Sequence, residues 1–302
     1  MTISVPGVQI NGNGATLQST NDATSSLSIT GDGVSLTNLN LTAPLTGTRY
    51  SSLNQNSLNI QGDNVTVSNV TITGAAAAGL FVFGASGFTI SNVTVQRTRA
   101  DGIHMTYGSS YGQLNNVTTK WTGDDGIAIV SYSNEQPTHD ITINSPTVVG
   151  TTWGRGLSVV GSNNVTFNNI NVSQTAAAAV YIASEGDPYY TLGVNNVSVL
   201  GGTITSANTD ASVVHGAVLV YAGNSATGVA NVTISGLTIS KTTTTAQRNV
   251  AIISDGGSVS GVVLRNIALK TTALSPLDIG GVPSRSYSTS GWTLNGVPIT
   301  VV

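Results

Sequence analysis

The chain has 302 residues and a net charge of −3, and only 8% of its residues are charged. Ordinary soluble domains contain about 25% charged residues, so no basic surface for nucleic acid or anionic lipid is expected. The absence of cysteine excludes a disulfide scaffold and a cysteine-ligated metal site. The abundant glycine, threonine, serine, asparagine and valine are typical of β-structure with many turns.

The first ten residues lack a basic segment followed by an apolar run, and no stretch approaches the roughly 18 apolar residues of a membrane helix. We therefore predict neither a secretory signal nor a membrane partner. The sequence pattern runs from one end to the other, which predicts one domain spanning 1–302. Such a domain is either a mature form or a module of a larger secreted or phage tail protein.

Two short phrases recur along the chain. The first is Asn-Val-Thr-Ile or a close variant, and it starts at Asn64, Asn69, Asn92, Asn116, Asn164, Asn196 and Asn231. The second is a small residue followed by alternating apolar positions, and it starts at Gly79, Gly102, Gly126, Gly156, Ala179, Gly216 and Asn249. Successive starts of the second phrase lie 23, 24, 30, 23, 37 and 33 residues apart.

A period of 23 to 24 residues is too short for a propeller blade and fits one turn of a parallel β-helix. The sequence therefore predicts an all-β, single-stranded, right-handed parallel β-helix of about 10–12 coils. Ile103 and Met105 should point inward, and His104 and Ala128 outward. The longer intervals predict loops over one face, near 132–140, 186–193, 204–214 and 240–247.

The Asn-X-Thr/Ser triplets match the acceptor sequence for glycosylation, but their regular recurrence favours a structural role. Asparagine tolerates left-handed bend conformations and stacks in ladders at coil corners. The sequence thus predicts asparagine ladders rather than glycans.

Acidic residues concentrate in one part of the chain, since seven of the 13 lie between 101 and 187. The position before the small residue of the second phrase reads, coil after coil, Ala78, Asp101, Asp125, Arg155, Ala178, His215 and Arg248. Stacked strands lie about 4.8 Å apart, so Asp101, Asp125 and Arg155 should form a column with Asp124 beside it. At least one carboxyl should have a raised pKa unless a cation compensates. Isolated aspartates at bends usually bind backbone amides. Three aspartates and an arginine in one register instead favour a functional site.

The segments Arg99-Ala-Asp101-Gly-Ile, Thr122-Gly-Asp124-Asp125-Gly-Ile-Ala-Ile and Gly154-Arg155-Gly-Leu-Ser-Val resemble motifs of the polygalacturonase family of β-helical glycoside hydrolases. Those motifs are Asn-Thr-Asp-Gly, Gly-Asp-Asp-Cys-Ile-Ala and Gly-His-Gly-Ile-Ser on successive coils. The resemblance covers roughly 60–185 at the level of coils and is motif-specific over 99–160. It implies that Asp101, Asp124 and Asp125 are catalytic, that one is the general acid, and that the others activate water for an inverting displacement. The family analogy favours Asp124 as the acid.

Two departures from the family pattern bear on the substrate. The family histidine is replaced by Arg155, and the Arg-Ile-Lys that binds a substrate carboxylate aligns with Ala179-Val180-Tyr181. The chain is thus identified as a distant relative in which Arg155 contacts a carboxylate or hydroxyl, or Tyr181 stacks on a neutral sugar.

Three further residues are candidates for substrate binding. His104 is expected at the groove edge or as a plain surface histidine, and Trp153 as a sugar platform or as packing at a bend. Glu185 opens a loop that also carries Tyr189 and Tyr190, and we expect it in a groove wall.

Three functions fit these patterns. The leading hypothesis is a hydrolase that cuts glycosidic bonds of a polysaccharide or oligosaccharide without a cofactor or metal. In the inverting version, acid and base carboxyls lie roughly 6.5–9.5 Å apart, whereas a separation of only about 5–5.5 Å would indicate retention. The second is a polysaccharide lyase in which the three aspartates hold Ca²⁺ and Arg155 is the base. The third is a glycan-binding phage tail or adhesin module without activity. We expect an extracellular or virion-associated monomer or homotrimer with no nucleic-acid partner.

Overall fold

Parallel strands dominate the computed structural model, which describes residues 1–270 and 274–301. Residues 271–273 and 302, which the predicted domain includes, lie outside the described residues. Sheet A contains 11 parallel strands, in the order Thr2–Ile3, Leu27–Ile29, Leu58–Ile60, Leu80–Phe83, Ile103–Thr106, Ile127–Val130, Leu157–Val160, Val180–Ser184, Val218–Ala222, Arg248–Ser254 and Ser275–Gly280. Its strands pair in sequence order with one segment of sheet B between them, as in a β-helix.

Sheet B contains 18 strands, and their pairings are parallel except for the last one, between Trp292 and Ile299. Its strands are Gln9–Asn11, Thr16–Gln18, Ser35–Thr42, Thr66–Ala75, Thr89–Ser91, Thr94–Thr98, Ser110–Asn115, Thr118–Thr122, His139–Asn144, Thr147–Thr151, Asn163–Ser173, Val194–Thr205, Gly228–Ser240, Ser258–Arg265, Ala268–Leu269, Tyr287–Ser290, Trp292–Leu294 and Val297–Ile299. Three short 3₁₀ turns span Leu53–Gln55, Thr244–Ala246 and Ser284–Ser286. The described chain is therefore nearly all-β and consistent with the predicted β-helix. No helix in it is long and apolar enough to span a bilayer.

The core lies between the two sheets and follows the predicted alternation. Ile103, Met105, Ile127 and Ile129 are fully buried and point inward. Ala128 is also buried, because side chains on the outer face of sheet A form an apolar cluster of their own: Ala128, Val130, Val160, Ala178, Tyr181, Ala183, Leu219 and Ala251. The outer face of sheet A is thus partly covered, and the catalytic candidates lie beside this cluster.

The strand register stacks the predicted column through its first coils. Ile103 pairs with Ile127 and Ile127 with Leu157, so Asp101, Asp125 and Arg155 occupy equivalent positions on successive coils. The prediction for His215 is wrong by one residue, because Val180 pairs with Val218 and places Gly216 in the column. The buried valines fix this register, and Gly216 takes a bend conformation with φ +84° before the strand.

The predicted loops correspond to non-strand segments at 131–138, 185–193, 206–217 and 241–247. A further loop at 43–57 was not predicted, because the second phrase only starts at Gly79. This loop and the segments at 131–138 and 185–193 supply residues to the candidate site described below.

Asparagine ladders hold the corners of sheet B, as predicted. Asn38, Asn69, Asn92 and Asn116 all adopt the left-handed conformation, with φ between 53° and 55°. The side-chain amides of Asn69, Asn92 and Asn116 each donate to the side-chain oxygen of the asparagine one coil earlier, over 3.2 to 3.4 Å. Asparagine therefore serves both the backbone bend and the contact between coils.

We expect Asn92→Ala to lower the free energy of unfolding by roughly 1–2 kcal/mol, because alanine resists the left-handed conformation and removes two ladder bonds. Asn92→Gly keeps the conformational freedom and removes only the ladder bonds, so its loss should be smaller. Chemical denaturation of both variants checks this. Equal losses for the two would contradict the contribution from backbone conformation.

Candidate active site

A cavity of about 590 Å³ opens on the outer face of sheet A and gathers most of the predicted site residues. Of these it is lined by Asp101, His104, Asp124, Asp125, Trp153, Arg155 and Glu185. Arg49, Tyr132 and Tyr189, which were not among the predicted site residues, line it as well, together with Ala128, Val130 and Val160.

Asp125 is buried at the start of the strand Ile127–Val130, and both its oxygens are occupied. Oδ1 accepts the backbone N–H of Arg155 at 2.6 Å, and Oδ2 accepts the hydroxyl of Ser158. Burial raises the pKa of Asp125, the cation of Arg155 opposes that rise, and the charge of Asp101 adds to it. The position therefore favours a carboxyl that holds a proton more tightly than usual.

Asp101 lies one coil earlier and bridges two neighbours. Its Oδ1 accepts the backbone N–H of Asp125 at 2.9 Å, and its Oδ2 contacts Nδ1 of His104 at 2.6 Å. The His104 ring is stacked on Phe81, with ring centroids 5.0 Å apart. Both side chains are mostly buried, so His104 orients Asp101 and is not the plain surface histidine of the alternative interpretation.

Asp124 is paired with a residue far away in sequence. Arg49, in the loop at 43–57, contacts Oδ2 of Asp124 at 2.6 Å. Burial and the neighbouring charge of Asp125 raise the pKa of Asp124, and the ion pair with Arg49 opposes the rise. Asp124 thus has a partner that differs from those of the other two aspartates.

The loop that carries Arg49 is anchored by Arg99, whose side chain is only 8% exposed. Arg99 pairs with Asp22 and donates to three backbone carbonyls of the loop, those of Pro44, Thr46 and Thr48, over 2.7 to 2.8 Å. Arg99, the first residue of the Asp101 motif, therefore fixes the loop that reaches Asp124.

Gly154 makes the close approach of the third motif possible. A Cβ at this position would lie 2.4 Å from the backbone nitrogen of Asp125 and 2.5 Å from Oδ1 of Asp124. Any side chain here would displace one of the two aspartates.

Arg155 lies among anionic and aromatic groups. Its guanidinium is 4.4 Å from the ring centre of Tyr181, 3.3 Å from Oε1 of Glu185 and 3.9 Å from Oδ1 of Asp125. Burial disfavours the charged form, but Asp125, Tyr181 and Glu185 outweigh it and raise the pKa of Arg155 above its ordinary value. Arg155 is therefore a fixed cation.

Tyr181 does not line the catalytic cavity. It is 3% exposed, its ring lies under Arg155, and its hydroxyl donates to Glu185 at 2.9 Å. Arg155 covers the Tyr181 ring on the side of the aspartates, and stacking of Tyr181 on a sugar stays a prediction. Trp153, by contrast, is 56% exposed at the cavity rim and offers a free ring face.

The three aspartates are close enough to act as one unit, since one oxygen of each lies within 4.8 Å of the others. Calcium prefers such oxygen donors but requires six to eight of them. Arg49 already occupies Asp124, and Ser158 and the Arg155 amide occupy Asp125. The three aspartates are therefore better suited to pairing with Arg49 and Arg155 than to binding Ca²⁺.

The fold and the clustered carboxylates define a class, the β-helix-like carbohydrate-active enzymes. A model of the alpha-1,3-glucanase catalytic domain D2 matches residues 18–271. The chain therefore belongs to the alpha-1,3-glucanase catalytic domain D2 family of glycoside hydrolases. A search of curated proteins found no match.

Solved structures with the same fold include two alpha-1,3-glucanases and one epimerase. The catalytic domain of a GH87 alpha-1,3-glucanase in complex with nigerose has a TM-score of 0.65 at 18% identity, over 98% of this chain and 59% of that one. The catalytic unit of a GH87 alpha-1,3-glucanase from Streptomyces thermodiastaticus has a TM-score of 0.58 at 16% identity, over 97% and 63%. The A-module of mannuronan C-5 epimerase AlgE6 from Azotobacter vinelandii has a TM-score of 0.61 at 15% identity, over 99% and 89%.

The chain thus spans less than two thirds of the length of these glucanase structures. At such identities the similarity shows the fold. The family model and the three structures above do not name a polygalacturonase, and that resemblance stays a prediction.

We expect Asp125→Asn to raise the melting temperature at pH 7 by roughly 2 °C. Because the folded state raises the pKa of Asp125, its ionised form costs stability above that pKa, and asparagine removes the cost. The gain should vanish as the pH falls below the unfolded value near 3.8. Calorimetry of wild type and variant across this range checks both statements, and a lower melting temperature at pH 7 would contradict them.

Proposed function

We propose that this chain hydrolyses α-1,3-glycosidic bonds of a neutral glucan, with inversion at the anomeric carbon. Inversion is proposed from the polygalacturonase resemblance and not from the carboxyl spacing, because one oxygen of each aspartate lies within 4.8 Å of the others, whereas inverting enzymes hold acid and base roughly 6.5–9.5 Å apart. The observation that carries the proposal is that three aspartates share one cavity while each is held by a different partner. Different partners separate the proton affinities of neighbouring carboxyls, which allows one to be an acid while another is a base.

Asp124 is assigned as the general acid. The pKa of Asp124 is raised by burial and by Asp125, and its Oδ1 makes no side-chain bond to Arg49, which binds Oδ2. Asp124 gives its proton to the glycosidic oxygen as the bond from that oxygen to the anomeric carbon breaks. A water molecule activated by Asp101 and Asp125 gives one proton to one of these carboxylates as its oxygen bonds to the anomeric carbon. That proton then leaves to solvent and Asp124 takes one back from solvent, so the cycle balances.

A neutral substrate is proposed because both arginines of the cavity are already paired. Arg49 is paired with Asp124, and Arg155 with Glu185 and Asp125. A uronate carboxylate entering the cavity would meet four carboxyl groups without a free cation to offset them. The alpha-1,3-glucanase family match supports glucose as the sugar.

The lyase hypothesis is weaker on the same grounds. A base at Arg155 must lose a proton, whereas the surrounding carboxylates raise its pKa despite burial. Ca²⁺ would have to displace Arg49 from Asp124. The proposal also includes the fold: a single-stranded solenoid whose connections between parallel strands are right-handed. It further includes an extracellular or virion-associated location for the protein.

The first test is incubation with α-1,3-glucan, α-1,4-glucan and pectate, with and without a calcium chelator. We expect new reducing ends from α-1,3-glucan alone, without ultraviolet-absorbing products and without any effect of the chelator. The first product should carry the β configuration, read by NMR. Ultraviolet absorbance from pectate that is lost when the chelator is added would establish a lyase instead. The absence of any product from all three polymers would favour a binding module.

Asp125→Asn should lower kcat by roughly 10²–10⁴-fold, because it removes the group that takes the proton of water. Asp63→Asn is the matched control, since Asp63 also accepts a backbone N–H from the next coil, that of Ser86 at 2.8 Å, but outside the cavity. Activity of Asp125→Asn within a few-fold of wild type would overturn the aspartate mechanism.

Arg49→Gln should move the alkaline limb of the kcat/KM profile to higher pH. Arg49 lowers the pKa of Asp124, so its removal lets Asp124 keep the acid proton to higher pH. Arg265→Gln is the control, because Arg265 contacts Ser235 on the surface away from the cavity. A limb that moves to lower pH, or does not move, would remove Asp124 from the role of acid.

A further inference from the structure

A second cavity of about 250 Å³ lies further along the outer face of sheet A. Its lining combines aromatic, apolar and basic side chains, namely Tyr181, His215, Leu219, Tyr221, Arg248 and Ile253. Nothing in the proposed hydrolysis uses these residues, apart from the contact of Tyr181 with Arg155.

The two cavities are aligned along the same rows of outward-facing residues. Val160 lines the catalytic cavity, and it pairs with Ala183, which pairs with Tyr221 of the second cavity. Two strand spacings amount to ~10 Å. Tyr181 lies between the cavities, contacting Arg155 on one side and the ring of Tyr221, 6.5 Å away, on the other. A polymer that runs along the coils from the aspartates therefore crosses the second cavity.

Tyr221 offers the apolar surface of this cavity. Its ring lies nearly parallel to that of Tyr181, at 21°, and it is half-exposed. Gly223 supports it closely, since a Cβ at 223 would lie 2.5 Å from the ring. Leu219 and Ile253 pair with neighbouring strands and add apolar lining. A flat, supported tyrosine ring suits the apolar face of a pyranose.

Polar groups of the cavity have unused hydrogen-bonding capacity. Arg248 donates to Asp278 and to the carbonyl of Val214, but its Nε has no partner among residues 1–270 and 274–301. Nδ1 of His215 is likewise buried without a partner in that part of the chain. Burial and the cations of Arg155 and Arg248 lower the pKa of His215 to about 4, so its ring is neutral at pH 7. Buried polar groups without partners are costly, and both atoms belong to side chains that line the cavity.

We infer that this cavity binds one glucosyl unit of the same polymer, three strands along the sheet from Asp125. An apolar platform with a few convergent polar groups is the usual composition of a sugar site. The inference rests on the proposed function for the identity of the sugar. With this second site, the enzyme binds long substrates more tightly than short ones.

The test compares Tyr221→Ala with wild type on α-1,3-glucan polymer and on the α-1,3-linked disaccharide. We expect KM for the polymer to rise about 5- to 20-fold, the effect of one lost stacking contact, with kcat unchanged. Kinetics on the disaccharide, which is too short to reach both cavities, should stay the same. Tyr221→Phe should keep the polymer KM of wild type, because the Tyr221 hydroxyl binds Asp255, at 3.4 Å, and the ring that stacks on the sugar is retained.

Tyr111→Ala is the matched control, since Tyr111 is an exposed tyrosine on sheet B. A polymer KM within two-fold of wild type for Tyr221→Ala, in an active protein, would overturn the inference alone. If wild type cleaves no glucan, the proposed function fails, and calorimetric binding of an α-1,3-glucan hexasaccharide decides the inference separately. Binding weakened by Tyr221→Ala and retained by Tyr221→Phe supports it, and equal or absent binding in all three proteins overturns it.

Discussion

The register between strands of sheet A is the constraint on which the site depends. Ile103, Ile127 and Leu157 pair in sequence and are buried in the core, so their packing fixes which residues of successive coils coincide. A slip of one residue would exchange the inner and outer faces of a strand. The backbone N–H of Asp125 then could not reach Asp101. The aspartates are therefore positioned by hydrophobic packing behind them and not by any attraction between themselves.

Such a column of like charges is unfavourable without compensation, and the molecule compensates it from three directions. Backbone amides bind Asp101 and Asp125, Arg155 comes from the next coil, and Arg49 comes from a loop 75 residues before Asp124. The compensation is incomplete, because the pKa values of Asp124 and Asp125 remain raised, above all by burial. Residual instability at a reactive site is common, since the arrangement that favours proton transfer differs from the one that favours folding.

The parts of the fold and site that repeat could be predicted from the sequence, and the parts that do not repeat could not. The coil period and the buried alternation identified Asp101, Asp125 and Arg155 as a column, since each coil carries the same phrase. Arg49 escaped because its contact with Asp124 depends on the shape of a loop, which Arg99 fixes by binding backbone carbonyls. The available signal for Arg49 was the scarcity of basic residues, since the chain has only 10 lysines and arginines. Tyr181 was proposed for sugar stacking because it aligns with the Arg-Ile-Lys motif of the polygalacturonase family, but a motif alignment does not show that a cation from the previous coil covers the ring.

The same outer face changes character along the coils, and this change has a consequence for how a polymer would lie. Around the aspartates the face is charged and its cations are paired locally. Three strands along from Asp125 the face is aromatic and apolar, with buried polar atoms that have no hydrogen-bond partner within 1–270 and 274–301. Charged groups act on the bond that breaks, because their effect is strong over short distances in a partly dry cavity. Apolar contacts act equally on ground state and transition state, so they add affinity without changing the barrier. A solenoid separates these two tasks with little interference, because each coil contacts mainly its neighbours and a change at Tyr221 leaves the register at Asp125 intact.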